Sequence, residues 1–145
     1  MRPDRKRELW KAFAKYHYLS DSFNVAAQVF VVTVNGQLAG FTAVLNFPHA
    51  IVKNALRIHR TVVLPAFQGI GLGITLRNMI AARVTSQGKQ LLTTTTHPAL
   101  IRQMHNDPRW VCTFKGRHSK PGKKSKLQVS SCNRLTTSWK YVPPK

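Results

Sequence analysis

Residues 5–16, RKRELWKAFAKY, set Leu9, Trp10, Phe13 and Tyr16 three and four positions apart. That spacing lines one face of a helix, so an amphipathic helix is predicted there. The period then changes. Two β-rich runs, VAAQVFVVTV and QLAGFTAVLNF, flank Asn35-Gly36, a pair that accepts positive φ, and together they predict a hairpin whose second strand ends at Pro48. ALRIHRTVVL (55–64) alternates and becomes β-branched near its end, predicting a third strand that Pro65 stops. From Gly71 onward Ile74, Leu76, Ile80, Ala81 and Val84 return to helical spacing, with Gly88 as the stop. KQLLTTTT predicts a short buried strand, and HPALIRQMHN a helix with Pro98 at a permitted first-turn position. RWVCTFKGR and RLTTSWKYV predict two closing strands. Between them KGRHSKPGKKSK carries six Lys or Arg and no acid from Lys115 to Lys126, and such a segment is expected to be a mobile loop. No internal repeat and no second domain are visible.

At 145 residues, 43% of them apolar, the chain is expected to form one domain, 1–145, with its own core. No apolar run reaches the roughly 18 residues that span a bilayer, and the charged start MRPDRKRELW has no apolar stretch behind it. A cytoplasmic protein with no membrane partner is the expectation. Cys112 and Cys132 lack metal-ligand spacing and read as free thiols.

Charge changes the picture more than composition does. Twenty-three Lys and Arg face four acids, Asp4, Glu8, Asp21 and Asp107, and no carboxylate lies between the last two. A net charge of +19 repels itself unless a polyanion or counterions offset it. Solubility or ribosome-like stickiness would explain it blandly; a nucleic-acid surface explains it better. Arg57, Arg60, Lys115, Arg117, Lys120, Lys123, Lys124 and Lys126 are the candidate nucleic-acid contacts.

The segment Gln68-Gly69-Ile70-Gly71-Leu72-Gly73 sits between a predicted strand and a predicted helix. Unpaired N–H groups at a helix start favour phosphate. A Walker loop fails, because Gly73 is followed by Ile74-Thr75 rather than Lys-Ser/Thr. A dinucleotide fingerprint fails as well, since no acid follows before Asp107. Preceded by RTVVLP, the segment resembles the Q/R-x-x-G-x-G/A signature of the GCN5-related N-acetyltransferase (GNAT) superfamily. Element order agrees with that family over roughly residues 5–142. The resemblance implies an α/β (α+β) domain, a central mixed, mostly antiparallel sheet flanked by helices, and acetyl-coenzyme A or a related acyl-CoA as cofactor. It assigns backbone contacts with the cofactor to Val62, Val63 and Leu64, the turn to Gln68, Gly69, Gly71 and Gly73, and a place near the phosphates to Thr75. Arg77 is either a phosphate contact or a solvated helix charge.

The family's frequent carboxylate on the strand before the turn is missing. A proton acceptor is still needed, and His59, His17, His97 and Tyr18 are the candidates, with Tyr16 and His105 behind them. Strand alternation puts Arg57, His59 and Thr61 on one face and Ile58, Arg60 and Val62 on the other. His59 thus lies at the level where a base is wanted, or is a strand histidine bonded to a neighbour. The tyrosine that often serves the leaving thiolate is also absent; Trp110 lies near that place and cannot supply a proton. Either His97 or His105 does that work, or the thiolate leaves unaided. Tyr16 and Tyr18 read either as stacking groups or as core. A metal is not expected, because His17, His59 and His97 form no local ligand pair.

YHYLS, the HRTVVLP-x-x-QGIGLG run and THPAL resemble a phage- and prophage-associated branch of the superfamily that includes Mom-like DNA modification proteins. The expected function is therefore transfer to nucleic acid, DNA first. An extruded or single-stranded base would be the target, with Tyr16, Tyr18 and Trp110 as stacking groups. The alternatives are an acetyltransferase toxin acting on aminoacyl-tRNA, an acetyltransferase of another amine, and a non-catalytic nucleic-acid-binding module. Small cationic amines are disfavoured by Arg57, Arg60 and Arg77 with no anion nearby. The oligomeric state is open.

Overall fold

The computed structural model describes residues 1–17, 22–117 and 135–144. Contacts divide the chain into two compact units, Met1–Leu91 and Leu92–Lys145.

The first unit opens with helix α1 (Pro3–Ala14), which has proline in its first turn and Asp4 at its positive end. It buries Trp10 and Phe13. Strands β1 (Gln28–Val34) and β2 (Gln37–Asn46) form the antiparallel hairpin. Its turn residues have φ of 50° at Asn35 and 79° at Gly36, as the dipeptide predicted. Strand β3 (Ala55–Val63) pairs antiparallel with β2, setting Phe41 opposite Val62. One face of this three-stranded sheet packs on α1 through Trp10, Phe13, Ala27, Phe41, Ala43 and Val62. The rings of Trp10 and Phe13 lie 5.2 Å and 5.3 Å from that of Phe41. The other face meets helix α2 (Leu72–Ser86). A Cβ at Gly40, next to Phe41, would stand 2.8 Å from Val32 and 3.5 Å from Leu76, so a bare backbone lets α2 lie close. Gly88, at φ 71°, follows the helix as its predicted stop.

Strand β4 (Gln90–Thr95) leads into the second unit, which adds helix α3 (Pro98–Asn106) and strands β5 (Trp110–Arg117) and β6 (Leu135–Tyr141). β6 pairs antiparallel with both β4 and β5. Met104, Trp110, Trp139 and Tyr141 fill its interior. The buried hydroxyl of Thr137 is satisfied: Trp139 Nε1 donates to Thr137 Oγ1 at 2.8 Å, and Thr137 Oγ1 donates to the Thr95 carbonyl.

Two expectations need correction. The basic stretch begins inside β5, where Lys115 and Gly116 oppose Thr137 and Thr136, so backbone pairing overrides the charge-based loop boundary. Lys120, Lys123, Lys124 and Lys126 lie outside the described residues. Trp110 is buried (4% exposed), edge-on to Tyr141 at 5.3 Å, and so is no stacking platform.

Phe41→Ala should cost about 3–5 kcal/mol, because the cavity it leaves is walled by α1 and cannot collapse. Urea unfolding followed by tryptophan fluorescence measures it.

Candidate active site

The glycine turn is built from the end of β3. After Leu64, whose N–H donates to the Ala39 carbonyl, Pro65–Phe67 forms a 3-10 turn. Gln68 then reaches back, its Nε2 donating to the Val63 carbonyl at 2.8 Å, which ties the turn to the strand. Gly69 and Gly71 have φ of 83° and 79°, a left-handed backbone that a side chain would strain. Nothing stands within 4 Å of a Cβ placed at either, so both face open space. Gly71 is the N-cap of α2, and its carbonyl accepts from both the N–H and the Oγ1 of Thr75 at 3.1 Å. Gly73 differs from the other two. It is helical, and a Cβ there would meet Val63 Cγ2 at an ordinary 3.7 Å. The first turn of α2 holds no acid, and its leading N–H groups have no intrahelical partner. Open left-handed glycines before a positive helix end make a cradle that fits a pyrophosphate.

The strand feeding this turn carries a bulge. Ala43 faces Arg60 and Val44 faces Ile58, so His59 is the extra residue on β3. This corrects the alternation read from the sequence. His59 lies toward Phe23, a member of the α1-side cluster, at 6.5 Å between ring centroids. Arg60 lies on the same side, donating to the Ser22 carbonyl and Oγ, while Thr61 is paired instead with Thr42 across the sheet. Arg57, also exposed on β3, sits over the Phe47 ring at 4.9 Å.

His59 Nε2 is buried without a hydrogen-bond partner. Its pKa falls to about 4, first through burial and then through the charges of Arg60, Arg57 and His17. The imidazole is therefore neutral at physiological pH. His17 lies near enough to contribute to that shift and meets the Trp10 ring edge-on at 5.7 Å. The fold thus brings together His59, His17, Arg57 and Arg60.

The remaining candidates are scattered. Tyr16 lies just beyond α1, exposed, with Lys15 Nζ 4.8 Å from its ring centroid. Tyr18 lies outside the described residues. His97 is the N-cap of α3 in the second unit, its N–H bonded to Thr95 Oγ1. His105 is exposed in the last turn of that helix. Arg77, at 5% exposed, is no solvated helix charge. Asp107 is held by Arg109 through two 2.8 Å bonds, one from Nε and one from Nη2. Among the described residues no group of three metal-ligating side chains forms. No helix among them is long and apolar enough to cross a membrane. The bulge that aims His59 went unseen in the sequence, because an alternating strand gives no sign of one extra residue.

Residues 1–100 match the sequence model of the family described as Acetyltransferase (GNAT) domain. The chain belongs to the GNAT acetyltransferases. Solved structures agree on the fold at low identity. The ribosomal-protein-alanine N-acetyltransferase of Brucella melitensis aligns with a TM-score of 0.69 at 11% identity, covering 99% of this chain and 97% of that one. The ribosomal-protein-S18-alanine N-acetyltransferase of Escherichia coli gives 0.68 at 14%, covering 94% and 87%. A Bacillus subtilis acetyltransferase solved with CoA gives 0.68 at 11%, covering 94% and 93%. No curated protein sequence matches the chain. The acetyltransferase is thus an α/β GNAT fold in which the glycine turn occupies the strand–turn–helix position that the sequence motif implied.

Gly71→Ala should destabilise the protein by about 1–2 kcal/mol through its left-handed backbone, whereas Gly73→Ala should be neutral or stabilising by up to about 1 kcal/mol. Paired denaturation curves measure the contrast. The unfolded His59 imidazole takes up a proton near pH 6.5, while the native one resists until about 4. Stability should therefore be fully present above about pH 6.5 and fall toward pH 4, and His59→Gln should flatten that part of the profile in urea midpoints taken across the range.

Proposed function

We propose that this GNAT acetyltransferase acylates a neutral amino group carried by nucleic acid, a DNA base being the acceptor to test first. One observation carries the reading: His59 is held neutral beside Arg57 and Arg60, in a segment without a carboxylate from Ser22 to Asn106. An imidazole with a pKa near 4 cannot deprotonate an alkylammonium ion, whose pKa lies near 10. The two guanidinium groups repel such an ion as well. A nucleobase amine is uncharged at neutral pH and needs no prior deprotonation. It also arrives attached to a polyanion, which the +19 charge attracts. A Mom-like role in DNA modification is the most specific form of this reading.

Acetyl-coenzyme A supplies an activated acyl thioester when bound. The main-chain N–H groups from Gly69 to Ile74 would hold its pyrophosphate, with Thr75 beside them and the backbone of Val62, Val63 and Leu64 along its arm. His59 Nε2, buried without a hydrogen-bond partner, is the acceptor assigned to the proton that the amine gives up. Arg57 favours the phosphate backbone near the acceptor. Arg60, tied to Ser22, fixes the bulge that aims His59. Among the candidates on β5, Lys115 and Arg117 bracket the end of that strand.

The test is incubation of the protein with acetyl-CoA and single-stranded or plasmid DNA, followed by mass spectrometry of digested nucleosides. A nucleoside heavier by one acetyl group, lost in His59→Phe and in Gly71→Asp, is the expected result. Unaltered DNA beside acetylated aminoacyl-tRNA moves the acceptor to tRNA. An acetylated alanine-terminated peptide with unmodified nucleic acid overturns the reading. Gly71→Asp should also abolish the thermal shift given by CoA, since it sets a strained side chain and a negative charge at the cradle.

A further inference from the structure

Loop 47–54, joining β2 to β3, encloses a second feature at the end of β3 away from the glycine turn. A cavity of about 490 Å³ is lined there by residues that include Phe47, His49, Lys53, Asn54 and Lys89. The cavity and the glycine turn lie at opposite ends of the nine residues of β3, so this is a different place from the cofactor turn. Its volume lies within the roughly 300–1,000 Å³ of ligand sites.

The loop is built rather than loose. Phe47 N–H donates to the Ala55 carbonyl at 2.8 Å. Gln90 clamps the far side, its N–H donating to the Asn54 carbonyl and its Nε2 to that of Lys53. Asn54 is held at φ 54°, a left-handed backbone rare outside glycine. His49 Nδ1 accepts the N–H groups of Ile51 and Val52, which fixes its ring and leaves Nε2 as the outward donor. The Phe47 and His49 rings are 5.6 Å apart and tilted by 30°, and Arg57 covers Phe47 from 4.9 Å. An aromatic step is thus bordered by Arg57, Lys53 and Lys89, with no carboxylate in the lining.

We propose that this cavity is a docking site for single-stranded nucleic acid, one base stacking on the exposed His49 ring, which Phe47 backs, and the flanking phosphates meeting Lys53 and Lys89. Stacking surfaces beside cations are what such strands require, because every base has a π-face and every linkage a charge. An acidic peptide would use the lysines and leave the rings without a role. The site rests on the nucleic-acid reading above but concerns binding alone. Arg57 covers Phe47 and also acts on His59, so a strand retained here would run toward the acceptor site, where another base is presented.

The test uses the full chain and a labelled oligodeoxynucleotide of about twelve residues, within the span of known single-strand sites, followed by fluorescence anisotropy. Phe47→Leu keeps apolar bulk, and His49→Asn keeps a loop acceptor while removing the ring. Each should weaken single-strand binding roughly tenfold, and Phe47→Tyr should not. Lys53→Gln with Lys89→Gln should lower the log–log salt slope by roughly 1.4, at about 0.7 per phosphate. Thermal melts of every variant confirm folding. If Phe47→Leu and His49→Asn bind as the parent does, or lose duplex and single-strand affinity alike, the site is overturned. Tight binding of an acidic peptide that the lysine variant abolishes and the ring variants spare overturns it too. Loss of binding in the ring variants, with no acetylated nucleoside from the parent, keeps this site and removes the catalytic reading.

Discussion

The left-handed backbone at Gly69 and Gly71 is the constraint on which the site depends. Only with φ near +80° at both does the chain leave β3, turn, and start α2 with its N–H groups facing outward. The open space where their side chains would lie leaves the main chain of the turn accessible. Gln68 secures the geometry by bonding to the Val63 carbonyl, and Thr75 closes the first helical turn on Gly71. The position of the turn is in turn fixed by packing, because Val62 sits in the cluster with Phe41 and Trp10. A loosened core would shift the end of β3 and spoil the cradle without touching a glycine.

Electrostatics sets what approaches. The cationic residues of β3 act in opposite directions on two kinds of partner, repelling an ammonium ion and attracting a phosphate. They also keep His59 neutral, since Arg60 and Arg57 add to the effect of burial. A GNAT fold that lacks the carboxylate of many relatives is therefore not simply missing a base. Under the proposed function, His59 serves a site suited to amines already uncharged.

Much of this was legible in the chain. The hairpin followed from Asn35-Gly36, the end of α2 from Gly88, and the family from the spacing of Gln68, Gly71 and Gly73 after a β-branched strand. These are local signals, each set by what one or two residues allow the backbone to do. Trp110 was misjudged because an aromatic ring near a helix end looks the same in sequence whether it is exposed or packed on Tyr141. Lys115–Arg117 were read both as the end of a strand and as the start of a basic loop, because charge density speaks about solvation, whereas the pairing of Lys115 with Thr137 depends on a distant strand.

The sequence by itself determined the order of elements, a run of three glycines between β3 and α2, and the unbalanced charge, because backbone freedom and ionisation are properties of single residues; that only Gly69 and Gly71 of the three take positive φ was settled by the fold. The tertiary structure alone decided that β3 bulges at His59, that Phe23, His17 and Arg60 gather around it, and that Gln90 clamps the loop before β3. A bulge is a count of one strand against its neighbour, and a pKa shift is a sum over groups far apart in the chain, so neither is written in any local stretch.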